Sequence, residues 1–497
     1  MPFNSVHFFI FFPIVVGVYY MIPCRFRQLL LLVCSYIFYM SWNYQYAVLI
    51  LFTSLVTYIS GIGIEFYLSR SQKSFARNLL VFTLVINLSI LGFFKYADLF
   101  LNSISSVVSF FRPVHLSIPF QFLLPVGISF YTFQALGYTI DVYRQNIKAE
   151  KNLLQYFLFV SFFPQIVAGP IGRSGSLLPQ IASIKEKSLW KYENMTGGLI
   201  MMLWGYFLKM VIADRISILV NNVFDHYIQY QSFALLLAAV AFSIQIYCDF
   251  LSYSTIACGA ARVLGIQLTE NFNTPYFAAS FKDFWRRWHI SLSTWFRDYL
   301  YIPMGGSRCS VKRNYKNIFI TFLISGLWHG ANWHFCIWGC LHGLLQIAES
   351  ATLPFRKNWH TFFHTRTSTI TYKIWQRFYT WFMVMLVWIF FRAPSIKDAL
   401  FYIFRMITHP DPWSIFDGSI CRLGLDLSQM SILIVALLLL FLISLIKYHK
   451  NMNLDIFLST QGIVFRWLFI FMLFFMVFTW GEYGVGFNAQ EFIYFRF

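Results

Sequence analysis

The stretch GLWHGANWHFCIWGCLHG, Gly326–Gly343, decides how this sequence is interpreted, because it combines a membrane-like composition with titratable side chains. It has three tryptophans, no Asp, Glu, Lys or Arg, and three histidines: His329, His334 and His342. The uncharged run around it extends from Asn317 to Ala348. As one helix this run would be about 48 Å long, whereas a bilayer core is ~30 Å thick. We therefore expect two segments, or a helix broken near Gly326, Gly330 or Gly339.

The composition of the whole chain also indicates a membrane protein. Hydrophobic residues make up 58% of the 497 residues, charged residues 12%, and the mean hydropathy is +0.60. Soluble proteins have about 25% charged residues. Long uncharged runs predict spanning helices, whereas a β-barrel would show alternating segments of about ten residues. We predict an all-α, polytopic membrane protein with 10–12 spanning helices, some re-entrant pieces, and one domain over residues 1–497.

The candidate spanning segments follow from the apolar runs. They are Phe3–Ile22, Leu29–Trp42, Tyr46–Ile64, Leu79–Phe94, Phe120–Ile140, Leu153–Ile171, Gly198–Ile212, Phe233–Tyr247, Ile318–Ala348, Trp375–Phe391, Ile432–Ile446 and Val464–Trp480. The first segment lacks a signal-peptide cleavage site, so we expect it to be retained as a helix.

The chain carries 38 basic and 20 acidic residues, a formal net charge of +18. Such an excess can indicate nucleic-acid binding, but in a membrane protein the positive-inside rule explains it more simply. The loops Pro23–Arg27 and Glu65–Asn78 are basic, and the intervening Trp42–Gln45 is uncharged. This alternation predicts an extracytoplasmic N-terminus, with the basic loops and Asp141–Asn152 in the cytoplasm. We therefore expect the basic residues to lie near membrane lipid, and we expect no nucleic acid as a partner.

The segment Thr269–Arg308 differs from the rest of the chain because it is long, aromatic and charged. Its tryptophans and arginines suit a membrane interface. We expect a helix that lies along the interface or dips into it; the alternative is an ordinary cytoplasmic loop.

The three histidines of the opening stretch do not form a metal site on one helix. At about 100° per residue, His329, His334 and His342 would point in three directions. Zinc-binding helices use two histidines four residues apart, so we predict no metal site. Haem ligation by histidines on separate helices stays open.

Catalysis is the stronger interpretation of His329, because a buried, neutral imidazole can act as a general base for a hydroxyl nucleophile. Small neighbours in GLWHG allow close approach, and Asn332 would share a helical face with His329 and could orient its ring. His289, in WRRWHISLS, is the second candidate, since its neighbouring arginines could bind donor phosphates or lipid phosphates. His334 and His342 are also explained by hydrogen bonds between helices.

Other reaction classes lack their motifs. There is no GxxxxGK[ST] phosphate loop and no GxSxG nucleophile elbow. The eight cysteines include no CxxC pair, and Cys336 with Cys340 supplies only half a zinc site. Asp214 and Asp249 are the main carboxylates in or beside apolar runs.

Several long motifs resemble the membrane-bound O-acyltransferase family, in particular its bacterial branch. The match begins at FNSVHFFIFFPIV and continues through seven further motifs in the same order. These are LLPVGISFYTFQALGYTIDVYR, FFPQIVAGPIGR, ENFNTPYF, FWRRWHISLSTWFRDYLYIPMGG with GLWHGANW, VWIFFRA and the terminal FIYFRF. The branch includes membrane subunits for O-acetylation of alginate and peptidoglycan and the D-alanyl transfer protein for teichoic acids.

The resemblance implies a ring of about eleven membrane helices around a thin central layer with a catalytic tunnel. It implies acyl transfer from a cytoplasmic thioester towards an extracytoplasmic acceptor. The essential histidine of the family corresponds to His329, and a second recurrent histidine to His289; His342 also occupies a recurrent position. The family segment DFSGYSD reads DFLSYST here, at Asp249–Thr255, so a role for its second acidic residue does not carry over.

On this basis we predict an O-acetyltransferase that acts on an extracytoplasmic polysaccharide of the alginate type. The donor is acetyl-CoA or an acyl-carrier thioester, with no tightly bound cofactor, and a periplasmic acetyltransferase is an expected partner. Peptidoglycan and teichoic acid are alternative acceptors. A polysaccharide transporter that uses His329 as a proton relay is the alternative from another class, and a haem-bearing redox protein is a third.

Overall fold

The computed structural model describes residues 1–109, 125–167, 169–185, 190–483 and 492–493. Their chain forms two compact units, which are Met1–Met202 with Tyr253–Glu270, and Leu203–Ser252 with Asn271–Phe497. The described residues are helical with irregular connections, and they contain no strand. The predicted all-α class is therefore confirmed, while the single domain over 1–497 stays a prediction.

The described residues of the first unit form eight helices and the C-terminal part of a ninth. They are α1 (Val6–Met21), α2 (Cys24–Met40), α3 (Ala47–Ser69), α4 (Lys73–Ser109), α5 (Ile128–Tyr143), α6 (Leu153–Ser161), α7 (Ser174–Ser183), α8 (Tyr192–Tyr206, whose last turn lies in the second unit), and the end of α10 (Ser232–Val263). Hydroxyl pairs fix α3 against its neighbours. Tyr156 donates to Thr57 at 2.7 Å, and Thr83 donates to Ser60 at 2.6 Å. Such small polar contacts are a common way to join helices in an apolar solvent.

The predicted span Leu153–Ile171 is wrong, because the helix there ends at Ser161. Nine residues reach about 14 Å, which is too short to cross a bilayer. The continuation contains Pro164, Gly169 and Pro170, and proline lacks the N–H that a helix interior requires. The described residues between Ser161 and Arg173 form irregular, mostly buried structure.

Three parts of the predicted pattern lie outside the described residues: Phe120–Leu124, Ala168 and the last four residues of FIYFRF.

The second unit contains the remaining helices. They are a π-helical segment (Phe207–Ala213), α9 (Asp214–Asp225), α10 (Ser232–Val263, shared with the first unit), α11 (Phe281–Arg287), α12 (Ile290–Phe296), α13 (Val311–His329), α14 (Trp333–Ala351), α15 (Leu353–Phe362), α16 (Ile370–Arg392), α17 (Ile396–Thr408), α18 (Leu427–Lys450), α19 (Leu454–Ser459) and α20 (Ile463–Trp480). The segment Thr269–Arg308 therefore forms the short helices α11 and α12 with a π-helical turn at Arg297–Tyr301, and its place at an interface stays a prediction.

Among the described residues, seven helices are long and apolar enough to cross a membrane. They are Tyr44–Ser69, Lys73–Ala97, Tyr192–Asp225, Ser232–Val263, Ile370–Arg392, Leu427–Lys450 and Ile463–Trp480. The chain is thus a multi-pass membrane protein. The total of 10–12 spans stays a prediction, since shorter apolar helices such as α1 fall below this length.

The long uncharged run forms two helices, as predicted. Helix α13 ends at His329, Gly330 is extended at φ −166° and ψ 156°, and α14 begins at Trp333. The two helices touch through glycines. A Cβ on Gly326 would lie 2.3 Å from the Phe335 carbonyl oxygen, and a Cβ on Gly339 would lie 2.3 Å from the Phe322 carbonyl oxygen. This close crossing brings the side chains at the end of α13 beside those of α14.

Candidate active site

His329 lies at the last residue of α13, and its side chain is buried, with the residue 4% exposed. Among the described residues, three aromatic rings lie around the imidazole. The ring centroids of Trp338, Trp328 and Phe391 lie 4.9, 5.0 and 5.6 Å from it. Phe391 comes from α16, so three helices supply this pocket. An imidazole in its neutral form in such a pocket can act as a general base.

Asn332 does not orient His329. It lies outside both helices in extended backbone, at φ −149° and ψ 147°, and its side chain is exposed. The prediction that the two residues share a helical face was wrong because the helix breaks at Gly330 between them.

His289 lies at the junction between α11 and α12 in left-handed backbone, at φ 43° and ψ 55°. The residue is 1% exposed, and burial lowers the pKa of its imidazole to about 3. Asn271 fixes the junction: its carbonyl oxygen accepts from the Ile290 N–H at 2.9 Å, and its Oδ1 accepts from the Ser291 hydroxyl at 2.6 Å. His289 is thus held neutral and fixed by the ENFNTPYF segment that precedes it.

The structure brings the two predicted catalytic histidines to the same tryptophan. The Trp328 ring lies 5.0 Å from the His329 ring and 6.0 Å from the His289 ring. The His289 ring also contacts the ring of Phe250 in α10, with 4.6 Å between the ring centroids. The neighbourhood of the two residues agrees with a shared site, while their catalytic roles stay predictions.

The other two histidines differ from each other. His334 Nδ1 lies 3.0 Å from the Phe390 carbonyl oxygen, which an Nδ1–H tautomer would satisfy, so a link between α14 and α16 accounts for it. His342 is 1% exposed and lies 4.9 Å from Trp338, the same ring that contacts His329. The prediction that His329 and His342 point in separate directions assumed one continuous helix, and the break corrects it.

A cavity of about 440 Å³ lies beside this cluster. Helix α13 contributes Asn314, Ile318, Thr321, Phe322 and Ser325, which recur at three- and four-residue spacing and therefore share one face. Ser325 is four residues before His329, so His329 continues this face one turn further. Three exposed basic residues also line the cavity: Lys282, Arg286 and Arg297. Cationic groups of this kind suit phosphates.

Sequence reasoning missed the rings that build the site and one charged residue. Trp338, Trp388 and Phe391 gave no signal because aromatic residues are common throughout this chain, and Trp285 was expected at a membrane interface rather than in the site. Lys209 did carry a signal, since it is the one charge in the predicted span Gly198–Ile212. Its Nζ lies 2.7 Å from Asp249 and 2.9 Å from Asp214, and all three residues are buried. Among the described residues, no three metal-ligating side chains come together as a metal site.

Comparison with known proteins finds one family along most of the chain. A profile of the membrane-bound O-acyltransferase family matches residues 37–393. A probable alginate O-acetylase of Azotobacter vinelandii is 36% identical over 445 residues, covering 90% of this chain and 84% of that protein. A peptidoglycan O-acetyltransferase of Helicobacter pylori is 33% identical over 429 residues, covering 81% and 77% of the two chains. A teichoic acid D-alanyltransferase of Bacillus subtilis is 28% identical over 284 residues, covering 55% and 70%.

Proposed function

We propose that this chain, which belongs to the membrane-bound O-acyltransferase family, transfers an acetyl group from acetyl-CoA for O-acetylation of an extracytoplasmic polysaccharide of the alginate type. Family membership confirms the resemblance that the motifs predicted, and with it the O-acyltransferase class. Relatives described as probable alginate O-acetylases, 34–36% identical, support the choice of alginate.

The cavity along α13 is the observation that carries the proposal. Its lining leads from the partly exposed Asn314 to the buried Ser325, one turn before His329. The basic side chains on its wall suit the phosphates of a coenzyme A donor, while the buried end suits the acyl group. A thioester bound this way has its reactive carbonyl closest to the imidazole.

In the proposed reaction, His329 takes the proton of a hydroxyl group while the hydroxyl oxygen attacks the thioester carbonyl carbon. A carbon–oxygen bond forms, and the carbonyl electron pair moves to its oxygen. The pair then returns, the carbon–sulfur bond breaks, and the thiolate leaves with the proton that His329 held. The products are an ester and the free thiol. His289, which is neutral, lines the path or polarises the substrate.

The hydroxyl belongs either to the polysaccharide or to a periplasmic acetyltransferase that passes the group on. Peptidoglycan is the second candidate acceptor, and the Helicobacter pylori relative, 33% identical over 81% of this chain, supports it. An acyl-carrier protein is the alternative donor, because it presents the same thioester.

We further propose a bacterial cytoplasmic membrane location with the N-terminus outside. The first two turns of α13 contain three basic residues, Lys312, Arg313 and Lys316. The positive-inside rule places this end of the helix in the cytoplasm. The donor would then enter the cavity from the cytoplasm. Labelling of single cysteines at Gln45 and Lys73 with a membrane-impermeant maleimide tests the orientation, because only the first is expected to react in intact cells.

The activity is tested with purified protein in liposomes, acetyl-CoA labelled in the acetyl group, and alginate or peptidoglycan fragments with or without a periplasmic partner. We expect ester-linked label on the acceptor, and a decrease of about 10²–10⁴-fold in His329→Ala. His364→Ala, which changes an exposed histidine, is the matched control and should act as wild type. Unchanged acetylation by folded His329→Ala contradicts the assignment. Movement of unmodified polymer without label transfer would indicate transport.

A further inference from the structure

A cluster of three rings lies at the inner end of the cavity, beside Ser325. The ring centroid of Trp285 lies 4.9 Å from that of His342 and 5.8 Å from that of Trp338, and Trp338 lies 4.9 Å from His342. Trp285 is the member that lines the cavity. Trp338 is the member that contacts His329. The Trp285 indole therefore stands between the cavity and the ring that touches the candidate base.

The position of Trp285 along the cavity determines which part of a bound donor its ring can contact. Its ring packs on Phe322 at 5.2 Å, and Phe322 lies one turn or less from Ser325 on the cavity face of α13. From Ser325 to His329 is about 6 Å along the helix. The acyl group of a donor that fills the cavity to this buried end therefore lies at the level of this cluster. Each additional methylene of the acyl group has to find space where three rings already pack together.

Ring packing holds the cluster together, without hydrogen bonds among the described residues. The indole nitrogens of Trp285 and Trp338 and both ring nitrogens of His342 are buried and have no hydrogen-bond partner in the described part of the chain. Trp285 meets His342 nearly at right angles, at 88°, which is a favourable edge-to-face arrangement. Removing the Trp285 indole thus opens space in front of His342 without breaking a hydrogen bond of the cluster.

We propose that Trp285 is the specificity-determining residue that limits the transferred acyl group to a short chain. Its indole fills the volume that a longer acyl group would occupy, and the two-carbon acetyl group fits in front of it. This inference rests on the proposed function, because it concerns the acyl group of the same donor. The reaction itself is unchanged, since the same carbon–oxygen bond forms and the same carbon–sulfur bond breaks for any chain length.

The test compares acetyl-, butyryl- and hexanoyl-CoA as donors for wild type, Trp285→Ala and Trp285→Phe in liposomes. We expect wild type to prefer acetyl-CoA. The ratio of kcat/KM for butyryl-CoA to that for acetyl-CoA should rise at least about tenfold in Trp285→Ala, because one methylene changes discrimination by 10–200-fold. Trp285→Phe should fall between. A folded Trp285→Ala with the wild-type ratio overturns the proposal, as does a wild type that uses hexanoyl-CoA as well as acetyl-CoA.

Tyr301→Ala is the matched control because Tyr301 lines the opposite end of the same cavity. Its hydroxyl donates to Asn314 Oδ1 at 2.6 Å, and Asn314 is fifteen residues before His329. The substitution removes an aromatic ring and enlarges the cavity far from the base, so the chain-length ratio should stay at the wild-type value. An equal change of the ratio in Tyr301→Ala overturns the specific role of Trp285.

Binding separates this proposal from the proposed function. Ketone analogues of acetyl-CoA and hexanoyl-CoA, with a methylene between sulfur and carbonyl, cannot transfer the acyl group, so their Kd values by calorimetry need no activity. Trp285→Ala should gain affinity for the longer analogue relative to the shorter. Wild-type protein that transfers no acetyl contradicts the proposed function, yet this affinity ratio still tests Trp285. If Trp285→Ala does not fold, Trp285→Phe gives the same comparison. A wild type that binds neither analogue overturns both proposals.

Discussion

His289 shows how the backbone determines what a side chain can do. A φ of 43° is uncommon for a residue other than glycine, and such conformations cost free energy that the surrounding structure must offset. Here Asn271 contributes, because it binds the Ile290 N–H and the Ser291 hydroxyl at the start of α12. The short helices α11 and α12 meet at this residue, and the turn directs its imidazole to Phe250 and Trp328. Strained residues often lie at functional sites, which agrees with the predicted role of His289.

Burial of His289 predicts a stability that depends on pH. Its folded pKa of about 3 lies below the value of 6.5 expected for the unfolded chain. Between these values the unfolded state binds a proton that the folded state does not, so the free energy of unfolding falls as pH drops below 6.5. At pH 5.5 the loss is about 1 kcal/mol.

We expect the Tm of detergent-solubilised wild type to decrease more between pH 7.5 and 5.5 than that of His289→Gln, whose amide does not titrate. Equal decreases in the two proteins would show that His289 is not buried in its neutral form.

At the residue scale, sequence reasoning identified His329 and His289, and the structure places both beside Trp328. It did not identify Trp285 or Trp338, because their importance depends on which helices meet. The separation of His329 from His342 by helical angles was wrong for a related reason. The angles hold only along a continuous helix, and α13 and α14 turn back on each other at Gly330.

At the scale of helices, the close crossing of α13 and α14 depends on two glycines. Gly326 and Gly339 face each other, and each would place a Cβ 2.3 Å from a carbonyl oxygen of the other helix. Backbone cannot yield at that distance, so any side chain separates the helices. Since His329 belongs to α13 and Trp338 to α14, the separation would also change the surroundings of the candidate base.

Gly339→Ala therefore should destabilise the protein by about 1–3 kcal/mol, the range for overpacked cores, and decrease acetyl transfer. Gly92→Ala is the matched control. Gly92 lies inside α4 with open space at its Cβ position, and alanine there should stabilise by about 0.5–1 kcal/mol. Thermal unfolding and transfer rates of both variants check this pair. Similar behaviour of the two variants would contradict the close-crossing argument.

Helix bounds show what hydropathy can predict. The segments Trp375–Phe391 and Val464–Trp480 closely match α16 and α20, since apolar residues fill these helices. Helix α10 is longer than the predicted Phe233–Tyr247, because it continues through buried polar residues such as Asp249 and Ser252. Polar side chains inside a protein lower the local hydropathy without ending the helix. The predicted span Leu153–Ile171 is longer than α6 for a different reason. Apolar residues in irregular backbone have the same high hydropathy as apolar residues in a helix.

A buried charge cluster, whose three residues all belong to the second unit, connects two spans. Lys209 belongs to the span Tyr192–Asp225 and Asp249 to the span Ser232–Val263, and Asp214 follows Lys209 by about one turn. Asp249 also accepts the N–H of Ile493 at 2.7 Å, which fixes part of the C-terminal segment. Sequence reasoning noted both carboxylates but could not supply their partner, because the pairing depends on a tertiary contact. Charged groups inside a membrane protein are expensive unless they are paired, so this cluster should strongly affect stability.

The charge count of the cluster predicts an order of stability for three variants. In the described part of the chain, the wild-type cluster has one positive and two negative groups. Lys209→Met leaves these two buried carboxylates without the cation that pairs them, and breaking a buried pair in this way costs about 3–5 kcal/mol. Asp249→Asn keeps the Lys209–Asp214 pair and an oxygen that can accept the Ile493 N–H, so it should be the mildest change.

The double variant Lys209→Met/Asp249→Asn leaves a single carboxylate, so it should be more stable than Lys209→Met although it carries one more substitution. Thermal unfolding of the three variants and wild type in the same detergent measures this coupling. Because each neutral replacement is similar in size to the original residue, packing changes little and the order reflects charge. A double variant less stable than Lys209→Met, or a Lys209→Met as stable as Asp249→Asn, would show that electrostatic pairing does not hold these two spans together.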